Sequence, residues 1–296
     1  MTPEEILTPQ SKSVDAAAWV TALSRFARYQ PLGAAGLLVV ILMALTALLA
    51  DWIAPFDFLE TDYTLIMAPP SWEHWMGTDP FGRDLLSRII HGSRTALTVG
   101  LVASLLGATL GLVIGVASAY FGGTIDMVVQ RLLDIFMAFP LIILALTIVS
   151  IFGTGTLNVT LAITIPMVPR CARVVRSSAL AIRELPYIDA ARALGFGHGR
   201  IILRHMLPNV IAPYLIMLTA FMGQAILLEA SLSFLGLGVQ EPVAAWGLML
   251  QGGAEQYAES APWMAIFPGL AITVSVMAFN LFGDALRDVL DPKLRI

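Results

Sequence analysis

The sequence predicts an all-α membrane protein, a polytopic bundle of six transmembrane helices with both termini in the cytoplasm. Three observations lead there. Hydrophobic residues make up 57% of the chain and charged residues 13%, whereas a soluble domain has roughly 25% charged residues. Uncharged stretches at 32–50, 95–125, 135–169, 206–228 and 260–283 reach or exceed the roughly 20 residues that a helix needs to cross a bilayer. The basic residues are also lopsided. With the N-terminus inside, fourteen of the seventeen Lys and Arg collect on the inner side, and only Arg83, Arg88 and Arg94 fall outside. The positive-inside rule then puts both termini and the 178–208 loop in the cytoplasm.

Residues 1–31 read as a cytoplasmic tail ending in a short amphipathic helix near Trp19 to Tyr29. The first span, 32–50, follows a long tail containing Glu4, Glu5 and Asp15, so it reads as a retained helix rather than a cleaved signal. With its external loop it forms a 32–93 unit. The loop holds Pro55, Pro69 and Pro70, and Trp72 and Trp75 suit an aromatic belt. Thr78 or Asp79 can cap a surface helix with Pro80 in its first turn, ending at Gly92, and Ser93 can cap the second span. Asp79, Arg83 and Asp84 are candidates for an external contact with a substrate-delivery protein; equally, they are solvated charges of a surface helix.

A core of five spans covers 94–285. The second span repeats small residues, with GxxxG pairs at Gly107–Gly111 and Gly111–Gly115, which predicts close helix packing. The 135–169 run is too long for one span. The turn chemistry of Phe152-Gly-Thr-Gly-Thr-Leu-Asn158 splits it into helices near 127–150 and 157–177. Arg131 and Asp134 are placed to pair at spacing three, and Pro140 predicts a kink. Arg170, Arg173 and Arg176 follow one helix side as a lipid anchor, a pore strip or a partner-facing edge. In the fifth span, Gln224 and Glu229 are candidates for the translocation path, since a carboxylate at membrane depth faces water or a partner. A hydrated carboxylate at the outer interface is the alternative. Asp284, Arg287 and Asp288 can form a local ion-pair set before Asp291-Pro292 ends the helix and the 286–296 tail begins.

The most informative stretch is the loop 178–208. Pro186 can open a short helix, Asp189 lies in its early turns where its charge suits the helix dipole, and Gly195 can stop it. A second short helix then leads to Leu207-Pro208, giving an elbow that projects into the cytoplasm.

Asp189-Ala190-Ala191, Gly195 and Leu207-Pro208 resemble the EAA loop of bacterial ABC-importer permeases. Asp189 replaces the usual Glu, and His205 stands where isoleucine is common. Further segments extend the likeness: Gly77-Thr-Asp-x-x-Gly82-Arg-Asp84, Phe234-Leu-Gly-Leu-Gly238, Trp246-Gly247, and Phe279-Asn-Leu-x-Gly-Asp284 through Asp291-Pro-Lys. Together they resemble the C-type permease subunit of dipeptide, oligopeptide and nickel importers. The resemblance implies the type I importer permease fold in the bacterial inner membrane. It implies a second, related permease subunit as heterodimer partner, two ATPase subunits docked on the elbows, and an external binding protein. ATP and Mg would reside on those ATPases. This chain has no P-loop, its only lysines being Lys12 and Lys293, so it is expected to be no enzyme and to bind no cofactor. Its single cysteine, Cys171, rules out an internal disulfide or a cysteine metal site. The lipid bilayer is an expected partner and nucleic acid is not.

Rival classes fit less well. An intramembrane protease needs a nucleophile and a base at membrane depth, and no histidine lies in a predicted span. A secondary transporter normally shows inverted repeats and midplane charges, of which Glu229 alone is a trace. The substrate reads as a di- or oligopeptide, with a nickel chelate, glutathione or an opine as alternatives carried by the same machinery.

Overall fold

The computed structural model describes Ser24 and residues 26–290. The expected helix near Trp19 and the Asp291-Pro292 stop lie outside those residues, apart from the stretch up to Tyr29. From Pro31 onward the described residues form these α-helices in order: α1 Pro31–Leu48, α2 Ala50–Ile53, α3 Leu85–Phe121, α4 Gly123–Met137, α5 Leu141–Phe152, α6 Thr156–Arg183, α7 Pro186–Ala193, α8 His198–Ile201, α9 Leu207–Phe234, α10 Trp246–Gln256 and α11 Trp263–Leu290. A π-helical turn, Ile202–Met206, joins α8 to α9.

The centre of the bundle is α3 lying along α6, with α9 against both. Three glycines allow this closeness. A Cβ added at Gly107 would stand 2.8 Å from Met167 Cβ, at Gly111 2.5 Å from Cys171 Cβ, and at Gly115 2.6 Å from the Ala172 carbonyl oxygen. The GxxxG pairs therefore form the seam with α6. A second seam, between α1 and α11, uses Gly33 and Gly36, whose added Cβ atoms would meet Ala285 Cβ at 2.1 Å and the Ala278 carbonyl oxygen at 2.6 Å. Large apolar side chains such as Leu42, Val113, Ile151 and Met277 remain exposed, as lipid-facing or partner-facing surfaces require.

Among the described residues, four helices are long and apolar enough to cross a membrane: α1, α3, the continuous run His198–Phe234, and α11. The number is five if the bent α4–α5 pair is one span. The count of six from the sequence is not reached by this criterion. Helix α6 is about 42 Å long, but it carries Pro166, Pro169 and four arginines. Its apolar face is sheltered by the helices around it, where Val159, Ile163, Met167 and Val175 are fully buried.

Several boundaries differ from expectation. No surface helix precedes the second span. Asp84, rather than Thr78 or Asp79, caps α3 by accepting from the Ser87 backbone N–H at 2.7 Å. The helix then runs unbroken through Gly92 and Ser93, past the expected unit boundary at 93. Gly92 continues the helix because its bare face admits the Trp246 indole, 2.6 Å from where a Cβ would be. The expected kink at Pro140 is a break of 87°, because Pro140 has no N–H and bars Phe139 from helical geometry. Asp284, Arg287 and Asp288 form no ion pair with one another among the described residues; Asp288 instead accepts from Gln30 Nε2 at 3.1 Å. Helix α11 runs on to Leu290, beyond the expected tail boundary at 286.

If the glycine seam sets the spacing of α3 and α6, Gly111→Leu should destabilise the subunit by about 1–3 kcal/mol, the usual cost of overpacking. A lowered Tm of the detergent-solubilised chain would register it. Gly197→Ala, where an added Cβ meets nothing within 4 Å, should leave the Tm unchanged; equal Tm values for parent and Gly111→Leu would refute the seam.

Candidate functional site

At one end of the bundle, residues 184–208 form the elbow. Leu185, in extended geometry, precedes Pro186 at the first turn of α7, a position where the missing proline N–H costs nothing. Asp189 follows in the first turn, and Arg192 Nη1 donates to its Oδ1 at 3.0 Å. The helix stops in a Schellman turn. The Phe196 N–H bonds to the Ala191 carbonyl at 3.1 Å, the Gly195 N–H bonds to the Arg192 carbonyl at 2.9 Å, and Gly195 sits at φ +76°. Only glycine adopts that backbone freely.

The second arm is not a separate short helix. Helix α8 passes through the π turn directly into α9. The wider turn arises where Pro208 cannot donate a backbone bond, and the Leu207 N–H reaches back five residues to Ile202. Asn209 Nδ2 covers the His205 carbonyl at 2.7 Å.

The elbow has two faces. Ile188, Ala191, Ile201 and Met206 are buried in the central core, with Leu207 packed half-buried against them. Asp189, Ala190, Gly195 and Pro208 are exposed, and Leu194 projects at 73% exposure. Space around Gly195, Gly197 and Gly199 is open. Chemically this is a knob anchored by one apolar face and offering on the other small residues, the carboxylates of Glu184 and Asp189, exposed arginines, and leucines of which Leu194 projects furthest.

Along α9, Glu229 is buried at 1% exposure. The Ser233 hydroxyl donates to its Oε1 at 2.7 Å and accepts the Val239 N–H at 3.2 Å. Gln224 is half-buried and lies five residues away, about 140° around the helix, so the two candidates do not share a face. Glu229 thus secures the turn after α9.

Two arginines of the strip on α6, Arg173 and Arg176, face α4. Arg176 grips Asp126 through both Nε (2.6 Å) and Nη2. Arg173 bonds Asp134, whose expected partner Arg131 stands 3.7 Å away. Arg173 and Arg176 are thus interhelix clamps, a role outside the three readings open from the sequence.

At the opposite end of α3, Asp79, Arg83 and Asp84 are buried, at 5%, 7% and 3% exposure. They turn inward instead of forming an outward-facing patch. Asp79 accepts the Phe81 and Arg83 N–H groups at 2.8 and 3.0 Å, and Arg83 Nε at 2.6 Å. Arg83 also donates two bonds to Glu241, at 2.8 and 3.1 Å, and Arg88 Nη2 reaches the same carboxylate at 3.3 Å. Asp84 accepts from Ser87 and lies 2.9 Å from His74 Nδ1. Glu241 was not singled out from the sequence, since it lies 158 residues from Arg83 and no local pattern links them.

Burial tends to raise the Glu241 carboxyl. The Arg83 hydrogen bonds and the Arg88 charge outweigh that and hold it below its ordinary value of 4.5. A depressed carboxylate contributes stability that is complete above that ordinary value and is lost as pH falls through the lower folded value. Glu241→Gln should therefore cost roughly 1–2 kcal/mol, below the range for a fully buried pair because the Glu241 side chain is 45% exposed. It should also flatten the acid limb of the Tm-versus-pH profile. A variant with the parent's acid limb would contradict this clasp.

With this geometry in hand, likeness to known proteins is informative. Residues 107–296 match the family described as binding-protein-dependent transport system inner membrane component, and residues 18–70 match the N-terminal TM domain of oligopeptide transport permease C. The dipeptide transport system permease protein of Alkalihalophilus pseudofirmus is 41% identical over 296 residues, covering 100% of this chain and 97% of its own. The glutathione transport system permease protein of Pectobacterium atrosepticum is 41% identical over 278 residues, 94% and 92% of the two chains. A chain of the inward-facing MetNI methionine ABC transporter shares the fold, with a TM-score of 0.54 at 20% identity over 69% of this chain and 96% of that one. The chain therefore belongs to the binding-protein-dependent transport system inner membrane components, as a C-type, multi-pass inner-membrane permease subunit of an ABC importer and not itself an enzyme.

Proposed function

We propose that this subunit forms half of a translocation pore for di- or oligopeptides and is driven by ATPase subunits that dock on the elbow at 184–208. The observation that carries the reading is the two-faced elbow. Its buried face ties it to the bundle core, while Asp189, Ala190, Leu194 and Gly195 offer a small, rigid knob to a cleft on another protein. The elbow lies in the cytoplasm on this reading, as the distribution of arginines requires. ATP and Mg sit on two ATPase partners, a second related permease completes the pore as a heterodimer, and an external binding protein delivers substrate.

The peptide assignment leans on the dipeptide permease of A. pseudofirmus, matched over the whole of this chain. A specific observation favours one second substrate: the P. atrosepticum relative, equally identical, is named for glutathione, itself a tripeptide derivative. The clasp at the other end of α3 holds the loop before that helix against the turn after α9, the side on which a binding protein would approach.

Gly195→Val tests the coupling role. A β-branched residue at φ +76° costs about 1–2 kcal/mol and should unwind the Schellman turn. The variant should remain in the membrane at the parent's level, yet import of labelled dialanine or glutathione should fall about tenfold or more, as a loss of 1.4 kcal/mol or more implies. Import at the parent's rate would reject the docking role of the elbow, and the preferred label would separate the two substrates.

A further inference from the structure

Four helix ends meet where the elbow joins the bundle: the last turn of α3, the first of α4, the last of α6 and the start of α8. Their links are polar. Tyr120, buried at the end of α3, shares a 2.8 Å hydrogen bond with Nδ1 of His198, the first residue of α8. The Arg192 guanidinium of α7 lies 5.6 Å from the Tyr120 ring, and Arg192 is itself paired with Asp189.

Two residues past Tyr120 the chain turns at Gly122 and Gly123, with φ of +65° and +57°. No side chain crowds Gly123, while a Cβ at Gly122 would meet Arg183 Nη1 at 2.4 Å. That guanidinium donates to the Ala119 carbonyl at 2.9 Å. Beyond the glycines, Asp126 of α4 receives the two-pronged grip of Arg176 and a bond from the Ser118 hydroxyl. The joint between α3 and α4 is thus a two-glycine hinge bridged by directional bonds. One set leads to the elbow and the other to α6.

The apolar face of the elbow seats it on the core, but dispersion contacts have little direction. Charge-assisted and two-pronged hydrogen bonds do have direction. We infer that Tyr120 and His198, with Asp126 and Arg176, are positioning residues that carry a displacement of the elbow across the Gly122–Gly123 hinge into the bent α4–α5 pair. The inference rests on the reading that the elbow docks ATPase subunits. Coupling between distant parts can be carried by hydrogen-bond and salt-bridge networks between rigid elements, and these bonds form such a network.

The test uses the whole importer in lipid nanodiscs, with spin labels on Phe139→Cys at the α4–α5 corner and Leu101→Cys on α3; the native Cys171 is fully buried. ATP, Mg and vanadate are added, and the change in label distance is measured. The parent should show a shift. Tyr120→Phe and His198→Ala should each reduce it to about half or less, as loss of one hydrogen bond allows. The double variant should do no worse than either alone, because both remove the same bond. Asp126→Arg and Arg176→Asp should each reduce the shift, and the swapped pair should restore it. Tyr120→Phe is conservative enough to keep the assembly intact even if the charge variants do not fold. ATPases that fail to co-purify with the parent would overturn the docking reading and this inference with it. Bound ATPases with no shift in the parent, or with an undiminished shift in Tyr120→Phe and His198→Ala, would overturn the inference alone.

Discussion

The constraint on which the rest of this molecule depends is the distance between α3 and α6. Within a membrane, helices gain no hydrophobic drive from packing on one another, so they must gain dispersion contact by coming close. Gly107, Gly111 and Gly115 remove the side chains that would hold α6 away. Once α6 lies there, its arginines fall beside α4 and its end delivers the chain to the elbow. The other end of α3 carries Arg83 and Arg88 to Glu241. Both functional regions are thus referred to one helix pair.

The two ends of α3 use charge differently. At the clasp, two arginines and two carboxylates cancel in a largely buried cluster, where breaking one pair strands its partner. Near the elbow, the charges bridge separate helices and remain partly exposed, so solvent can share them while the bundle moves. A fixed end and a yielding end on one rigid helix suit a protein that must keep one part still while another shifts.

Much of this was legible in the chain. The GxxxG repeats announced the seam, and Pro186 and Gly195 marked where α7 begins and stops. These signals are local, within a few residues of the structure they dictate. What was not legible was long-range or reciprocal. Gly92 reads as a helix stop until the Trp246 indole is seen filling its place. Asp79, Arg83 and Asp84 read as surface charges because Glu241, the second carboxylate that Arg83 holds, is far along the chain. Arg173 and Arg176 read equally well as lipid anchors until α4 folds back beside them, and that return depends on Gly122, Gly123 and the break at Pro140. Gln224 and Glu229 looked like one candidate group, but a five-residue spacing sends them to different sides of α9.

The break at Pro140 has a mechanical meaning. Helix α4, fifteen residues between a glycine joint and a proline corner, is a rod about 22 Å long. Rotating such a rod by about 10° at its glycine end carries the far corner sideways by roughly 4 Å, close to the width of a methyl group. Helix α5 leaves that corner at 87°, so a tilt of α4 within the plane of the two helices would drive α5 along its own axis, and a tilt out of that plane would sweep it broadside. On the proposed reading, a small turn near the elbow would thereby become a larger stroke of α5, with α4 acting as a crank.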